Sequence, residues 1–228
     1  GTSKPYSGLV NRRAGFSIIG LRGNGSAGHE IPHHLDKAPG MQIVKRRFTS
    51  ADWWGVGHKD LTDYSYYLQL NDTIAETVVP SLWNSTPPSP TTVVLGTNTG
   101  CNGNDEEYIL YSFHSVPGYS MVGSYVGNGN ADGTFVYCGF RPRYLLIKRI
   151  DSTGSWQIVN SQNHNYNPTD QYLVTNTTAA EGGSGEGAYD YCSNGFKVRH
   201  SNVTWNADGG TYIFYAIAET PFKYSNAR

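Results

Sequence analysis

Apolar and polar residues alternate with period two along most of this chain. The runs include Phe16-Ser17-Ile18-Ile19-Gly20, Met41-Gln42-Ile43-Val44-Lys45, Thr134-Phe135-Val136-Tyr137, Tyr144-Leu145-Leu146-Ile147-Lys148, Trp156-Gln157-Ile158-Val159, Phe196-Lys197-Val198 and Tyr212-Ile213-Phe214-Tyr215-Ala216-Ile217. They are short, rich in β-branched and aromatic residues, and separated by Gly, Asn, Asp and Pro clusters, which is the pattern of strands joined by turns. No stretch keeps an apolar 3.6-residue period over three turns, and residues 73–79 have room for one or two helical turns at most. The pattern predicts an all-β protein of antiparallel sheets, as a sandwich or jelly roll.

The pattern also repeats. Gly15-Phe16-Ser17-Ile18-Ile19-Gly20 is answered by Gly118-Tyr119-Ser120-Met121-Val122-Gly123, and Gly23-Asn24-Gly25 by Gly127-Asn128-Gly129. Pro39, Lys45-Arg46, Trp53, Tyr67-Leu68 and Tyr108-Ile109-Leu110-Tyr111 return in order as Pro142, Lys148-Arg149, Trp156, Tyr172-Leu173 and Tyr212-Ile213-Phe214-Tyr215, at offsets of 103 to 105 residues. A period this long suits two complete domains rather than a solenoid. The expected organisation is a linker or N-terminal segment over residues 1–14, then two tandem antiparallel β-sandwich (jelly-roll or lectin-like) repeats over residues 15–116 and 117–228, related by internal duplication. Strands are kept between the halves while loops diverge: proline-rich residues 85–90 stand where the second half has glycine-rich residues 181–187.

Composition narrows the function classes. Only 15% of residues are charged and the formal net charge is −1, so no basic footprint for nucleic acid or an anionic membrane surface exists. No run approaches the roughly 18 apolar residues of a membrane-spanning helix. The three cysteines, Cys101, Cys138 and Cys192, do not correspond between the halves, which reads as free thiols rather than a duplicated disulfide. The opening Gly1 without Met reads as a linker or processing scar, with no signal segment behind it.

Motifs that spell catalysis fail on their context. His29-Glu30-Ile31-Pro32-His33 matches the zinc-protease pattern H-E-x-x-H, but that chemistry needs both histidines on one helical face, and Pro32 breaks such a helix. Gly23-Asn24-Gly25-Ser26-Ala27-Gly28 matches G-x-G-x-x-G, yet no helix follows it, and Asn-Gly steps belong to tight turns. Asp132 with Asn128 and Asn130 offers oxygen ligands at alternating positions, a spacing compatible with calcium, although the first half has no carboxylate there. Asp105-Glu106-Glu107, the densest acidic run, reads as a solvated hairpin tip rather than the spaced carboxylates of a glycosidase. Five N-x-[ST] sequons follow from so Asn- and Thr-rich a composition. No nucleophile elbow, P-loop or C-x-x-C is present, so the sequence points to a non-enzymatic protein without cofactor or metal.

The duplicated pair Trp53 and Trp156 and the pair Lys45-Arg46 and Lys148-Arg149 read as framework, with the lysine–arginine steps capping carbonyls or pairing with carboxylates. The unduplicated tryptophans Trp54, Trp83 and Trp205 lie near expected turns. Displayed there, their flat apolar faces beside Asn and Asp hydrogen-bonding groups would suit neutral sugars, and these three are the candidate glycan-binding residues.

The ordered set of the opening repeat motifs, Ile31-Pro32-His33-His34-Leu35, Lys37-Ala38-Pro39, Ile43-Val44-Lys45 and the terminal Pro221-Phe222-Lys223-Tyr224-Ser225-Asn226-Ala227-Arg228 resembles a known family. It is similar to the tandem β-domains that close tail and tail-fibre proteins of marine and environmental tailed bacteriophages, with Asp36 where that family places glycine. The resemblance implies a virion structural protein in a surface-exposed appendage. Its expected partners are other virion subunits and a host-cell-surface glycan, with assembly into a homo-oligomer, a trimer by analogy. A purely structural decoration or spacer protein, contacting only other virion subunits, is the alternative.

Overall fold

The computed structural model describes residues 6–48, 53–163, 166–183 and 188–222. The opening residues 1–5, the closing residues 223–228 of the Pro-Phe-Lys-Tyr motif and residues 184–187 of the glycine-rich loop lie outside the described residues. The protein is all-β, built from several antiparallel sheets, with three single helical turns among the described residues. It divides into two compact units, Gly1–Leu70 with Glu76–Ser115, and Asn71–Ala75 with Val116–Arg228.

Unit 1 contains β1 (Tyr6–Asn11), β2 (Phe16–Arg22), β3 (His29–Pro32), β4 (Met41–Arg46), β5 (Gly55–His58), β6 (Tyr66–Gln69), β7 (Thr77–Val78), α1 (Pro80–Trp83), β8 (Thr92–Leu95), α2 (Thr99–Asn102) and β9 (Glu107–Phe113). Its large sheet has the order β1-β2-β9-β4-β5-β6-β7, and β3 pairs with β8 separately. The period-two signal decides which residues face inward. In β2, Ser17, Ile19 and Leu21 are buried, and in β9 Tyr108, Leu110 and Ser112 are.

Within residues 1–14, read from the sequence as a linker or N-terminal segment, lies β1, which pairs with β2 at all six of its positions. Gly8 permits that approach, because a Cβ there would strike the Ile18 carbonyl oxygen. Residues 73–79 form no helix. Thr77 and Val78 make β7, and the helical turn starts at Pro80, where the ring's fixed φ and missing N–H suit a first helical position.

Unit 2 contains β10 (Ser120–Val126), β11 (Phe135–Tyr137), β12 (Pro142–Arg149), β13 (Gln157–Asn160), β14 (Gln171–Val174), β15 (Gly182–Gly183), β16 (Tyr189–Cys192), β17 (Gly195–Val198), α3 (Val203–Asn206) and β18 (Thr211–Ala218). The large sheet runs β10-β18-β12-β13-β14-β15 and the small one β11-β17-β16. One core joins them: Leu145, Ile147, Tyr212 and Phe214 of the large sheet pack with Val136, Tyr189, Phe196 and Val198 of the small one. Aromatic edges meet faces in it, as in Phe196 against Phe214 at 5.4 Å and 86°, while Tyr125 and Tyr212 stack at 4.8 Å.

The same backbone lock recurs in both units. In unit 1 the buried Asn102 side chain accepts from the Asn24 N–H at 2.9 Å and donates to Ser26 O at 2.9 Å, while Gly103 N–H reaches Tyr108 Oη at 2.8 Å. In unit 2 Asn206 accepts from Asn128 N–H at 2.9 Å and donates to Asn130 O at 2.7 Å, while Ala207 N–H reaches Tyr212 Oη at 2.9 Å. Each lock ties the Gly-Asn-Gly turn to the helical turn before the last strand. Asn98 and Asn202 cap those turns by accepting from Gly100 and Thr204 N–H. The Asn24 loop is therefore a structural turn, with Gly25 and Gly28 at φ of +68° and +76°.

Candidate functional site

The three candidate tryptophans do not come together. Trp83 is 1% exposed, with its ring against Gly57, and Trp205 is 3% exposed, held edge-on between Tyr172 at 5.0 Å and Tyr189 at 5.4 Å. Neither presents a face to a ligand. The reason is geometric: each sits on a single helical turn that the following strand draws over the core, and burying so large a ring is worth more than displaying it. Trp54 is half-buried, with its ring stacked on Tyr111 at 6.4 Å. Trp156 is buried and the half-buried Trp53 leans on Tyr67 at 5.3 Å, in keeping with a framework role.

The motif residues are equally committed. His29 lies on strand β3 with Nδ1 2.8 Å from Asn102 Oδ1, and both ring nitrogens of the buried His33 are engaged, by Ser89 O and Leu35 N–H at 3.1 Å each. Burial holds His33 below the ordinary histidine pKa. Asn128 Oδ1 accepts from Asn130 N–H and Asn206 Nδ2, and Asn130 Oδ1 accepts from Asp132 N–H, so the oxygens of the calcium-like spacing build the turn instead. The acidic run is no freely solvated tip: Glu106 bonds Arg46 at 2.5 Å, and Glu107 bonds Arg22 and Arg47 at 3.2 and 2.7 Å. Among the described residues no three His, Cys, Asp or Glu side chains gather as metal ligands.

Among the described residues, one surface that combines aromatic and polar groups is the outer face of the small sheet in unit 2. Val136 points inward to Phe196, which turns its neighbours Phe135 and Tyr137 outward, 44% and 64% exposed. The register sets Phe135 beside Lys197 and then Asp190, and Tyr137 beside Gly195 and then Cys192. Gly195 leaves room for an aromatic ring over the strand, since a Cβ there would lie 3.1 Å from Phe135 Cζ. Beside the rings, Asp132 is clamped by Lys197 Nζ at 2.5 Å and Arg199 Nη1 at 3.2 Å, and Arg199 Nε reaches Asp190 at 3.4 Å. The hydrogen bond from Lys197 is the main reason the Asp132 carboxyl ionises below its ordinary pKa.

This face is charge-balanced. It offers flat apolar rings, guanidinium and ammonium donors and carboxylate acceptors, groups whose chemistry suits polyhydroxylated molecules. Sequence reasoning missed it because it sought tryptophan. The available signal was the aromatic-x-aromatic step Phe135-Val136-Tyr137 three residues after Asp132.

Unit 1 carries a separate open cleft of about 460 Å³. It is lined by Tyr6, Arg22, Arg47 and Glu107 among others, and Glu107 lies between the two guanidiniums. The two arginines already share that carboxylate, which compensates part of their charge.

No helix among the described residues is long and apolar enough to cross a membrane. No curated protein and no solved structure matches this chain. One family does match, over residues 7–221, a span that takes in both units and the whole candidate face, and by that match the chain belongs to the family described as "Domain of unknown function (DUF7483)".

Proposed function

We propose that this chain is a non-enzymatic virion structural protein, a tail-fibre or appendage module of a tailed bacteriophage that binds host surface glycans. The observation that carries the binding role is the exposed Phe135–Tyr137 pair bordered by the Asp132, Lys197, Arg199 and Asp190 network. The phage assignment rests on the sequence resemblance. The two units are read as jelly-roll- or lectin-like sandwiches descended from one duplicated domain. That reading is supported by the strand orders β2-β9-β4-β5-β6-β7 and β10-β18-β12-β13-β14-β15, which correspond strand for strand, and by the matching Asn24–Asn102 and Asn128–Asn206 locks. Glycan arrays and whole-cell binding test the function. Retained ligands should bind Tyr137→Ala and Phe135→Ala about ten-fold more weakly, the order of one lost aromatic contact. A well-folded protein that binds no glycan and no cell would remove the adhesion role.

The alternative, a spacer contacting only other virion subunits, is favoured by β1. All six of its residues are exposed, Leu9 by 76%, on the edge of the large sheet of unit 1. Such an edge is a template for pairing with another chain. Hydrogen exchange of the assembled particle distinguishes the two: protection of β1 with an open Tyr137 face supports adhesion, and protection of both supports the spacer.

A further inference from the structure

The core of unit 1 contains a row of polar side chains with no hydrogen-bond partner. Ser17, Ser112 and Gln42 are directly opposite one another across β2, β9 and β4, and Gln42 is opposite Gly57 on β5. All three polar residues are 0% exposed and Trp83 is 1% exposed. Five of their atoms, Ser17 Oγ, Ser112 Oγ, Gln42 Nε2, Gln42 Oε1 and Trp83 Nε1, are buried without a partner. Gln42 and Trp83 meet over Gly57, where a Cβ would collide with Gln42 Nε2 and stand 3.0 Å from Trp83 Cε2, the carbon bonded to the indole nitrogen, and Ser112 and Ser17 continue the row on the next two strands. The Gln42 amide approaches the Tyr64 hydroxyl without reaching hydrogen-bond geometry.

Unit 2 has the same lattice of strands and a different row. Met121, Ala216 and Leu145 are opposite one another across β10, β18 and β12, and Leu145 is opposite Val159 on β13. All belong to or pack on its apolar core. The fold therefore does not require polar residues at these register positions, although Ser120, the repeat's counterpart of Ser17, is a buried serine one place along β10. Unit 1 carries them together with Gly57, whose missing Cβ lets the Gln42 amide and the Trp83 ring lie over the strand.

We propose that this end of the unit 1 core is an internal water site, in which ordered water bridges Ser17, Ser112, Gln42 and Trp83. The chemistry matches. The indole N–H only donates, the amide donates and accepts, and each hydroxyl does both, so a water between neighbouring members of the row finds both an acceptor for its protons and donors for its lone pairs. Buried polar atoms are almost always satisfied, and internal water is how they are satisfied when protein groups fall short. The four side chains are uncharged, and their burial leaves no opening for a larger ligand.

A crystal structure of the full chain, refined with its solvent, decides the matter. It should show at least one ordered water bonded to two or more of these side chains. Direct pairing of Ser17, Gln42 and Ser112 with each other, or a dry site, would overturn the proposal. In solution, water-to-amide NOEs at Gly57 and Ser112 should be present in the wild type and lost in the row-swapped variant Ser17→Met, Gln42→Leu, Ser112→Ala. If the triple variant does not fold, Gln42→Leu alone should lose the contact at Gly57. Wild-type protein lacking these NOEs, or a folded variant keeping them, contradicts the site.

Discussion

Replacing the two lock asparagines by alanine should damage their units unequally. Asn206 makes three hydrogen bonds, from Asn128 N–H at 2.9 Å and to Asn128 Oδ1 and Asn130 O at 2.7 Å each. Asn102 makes the equivalent three and adds His29 Nδ1 at 2.8 Å and Gly96 O at 2.7 Å. Both residues are 0% exposed, so their partners cannot turn to solvent without opening the loop. At about 1 kcal/mol net for each bond, Asn206→Ala should cost roughly 3 kcal/mol and Asn102→Ala roughly 4 to 5 kcal/mol. Asn102→Asp keeps the accepting oxygens and removes the amide donors, so it should not rescue unit 1. Urea denaturation gives the totals, and hydrogen exchange read by mass spectrometry assigns each loss to its unit. A cost below about 1 kcal/mol for both variants would refute the reasoning, and so would a larger loss for Asn206→Ala than for Asn102→Ala.

Two further outcomes follow from burial. Desolvation lowers Lys148 to about 8, while its ammonium donates to Arg149 O. Its folded pKa lies below its unfolded value, so the unfolded chain binds more protons between pH 8 and 10.5 and this residue's contribution to stability rises with pH through that window. The stability of wild type relative to Lys148→Met should climb there by at most roughly 3 kcal/mol. A flat difference would mean that the lysine is solvated. Burial also pushes the Cys101 and Cys138 thiols up to about 12, whereas Cys192 is only half-buried with a smaller rise. A thiol reagent at neutral pH should label Cys192 first in the native protein and all three after denaturation. Early labelling of Cys101 would contradict the packing.

The local grammar of the fold was legible in the chain. The runs Phe16–Gly20 and Tyr212–Ile217 were legible as strands, which the structure extends to Phe16–Arg22 and Thr211–Ala218, and Asn-Gly steps were legible as turns, because side-chain direction in a strand and positive φ at glycine depend on neighbouring residues alone. The failure of H-E-x-x-H was legible for the same reason, since Pro32 excludes the helix locally. The order of repeated motifs suggested two similar units, and the structure divides into two compact ones.

Tertiary structure decided what each position faces. Nothing local distinguishes Trp83 and Trp205, inside, from Phe135 and Tyr137, outside. The tryptophans are buried because their helical turns close over sheets assembled from strands far away in sequence, such as β5 beneath Trp83 and β16 beside Trp205. The aromatic pair is outside because Val136 between them, beside Phe196 in the same sheet, faces the core shared with Leu145, Ile147 and Phe214 of the large sheet. Ser17, Gln42 and Ser112 read singly as ordinary strand residues and become one buried polar row only when the sheet register aligns them. Alternation says that two faces exist. Burial depends on what the rest of the chain brings against each face, and only the assembled sheets carry that information.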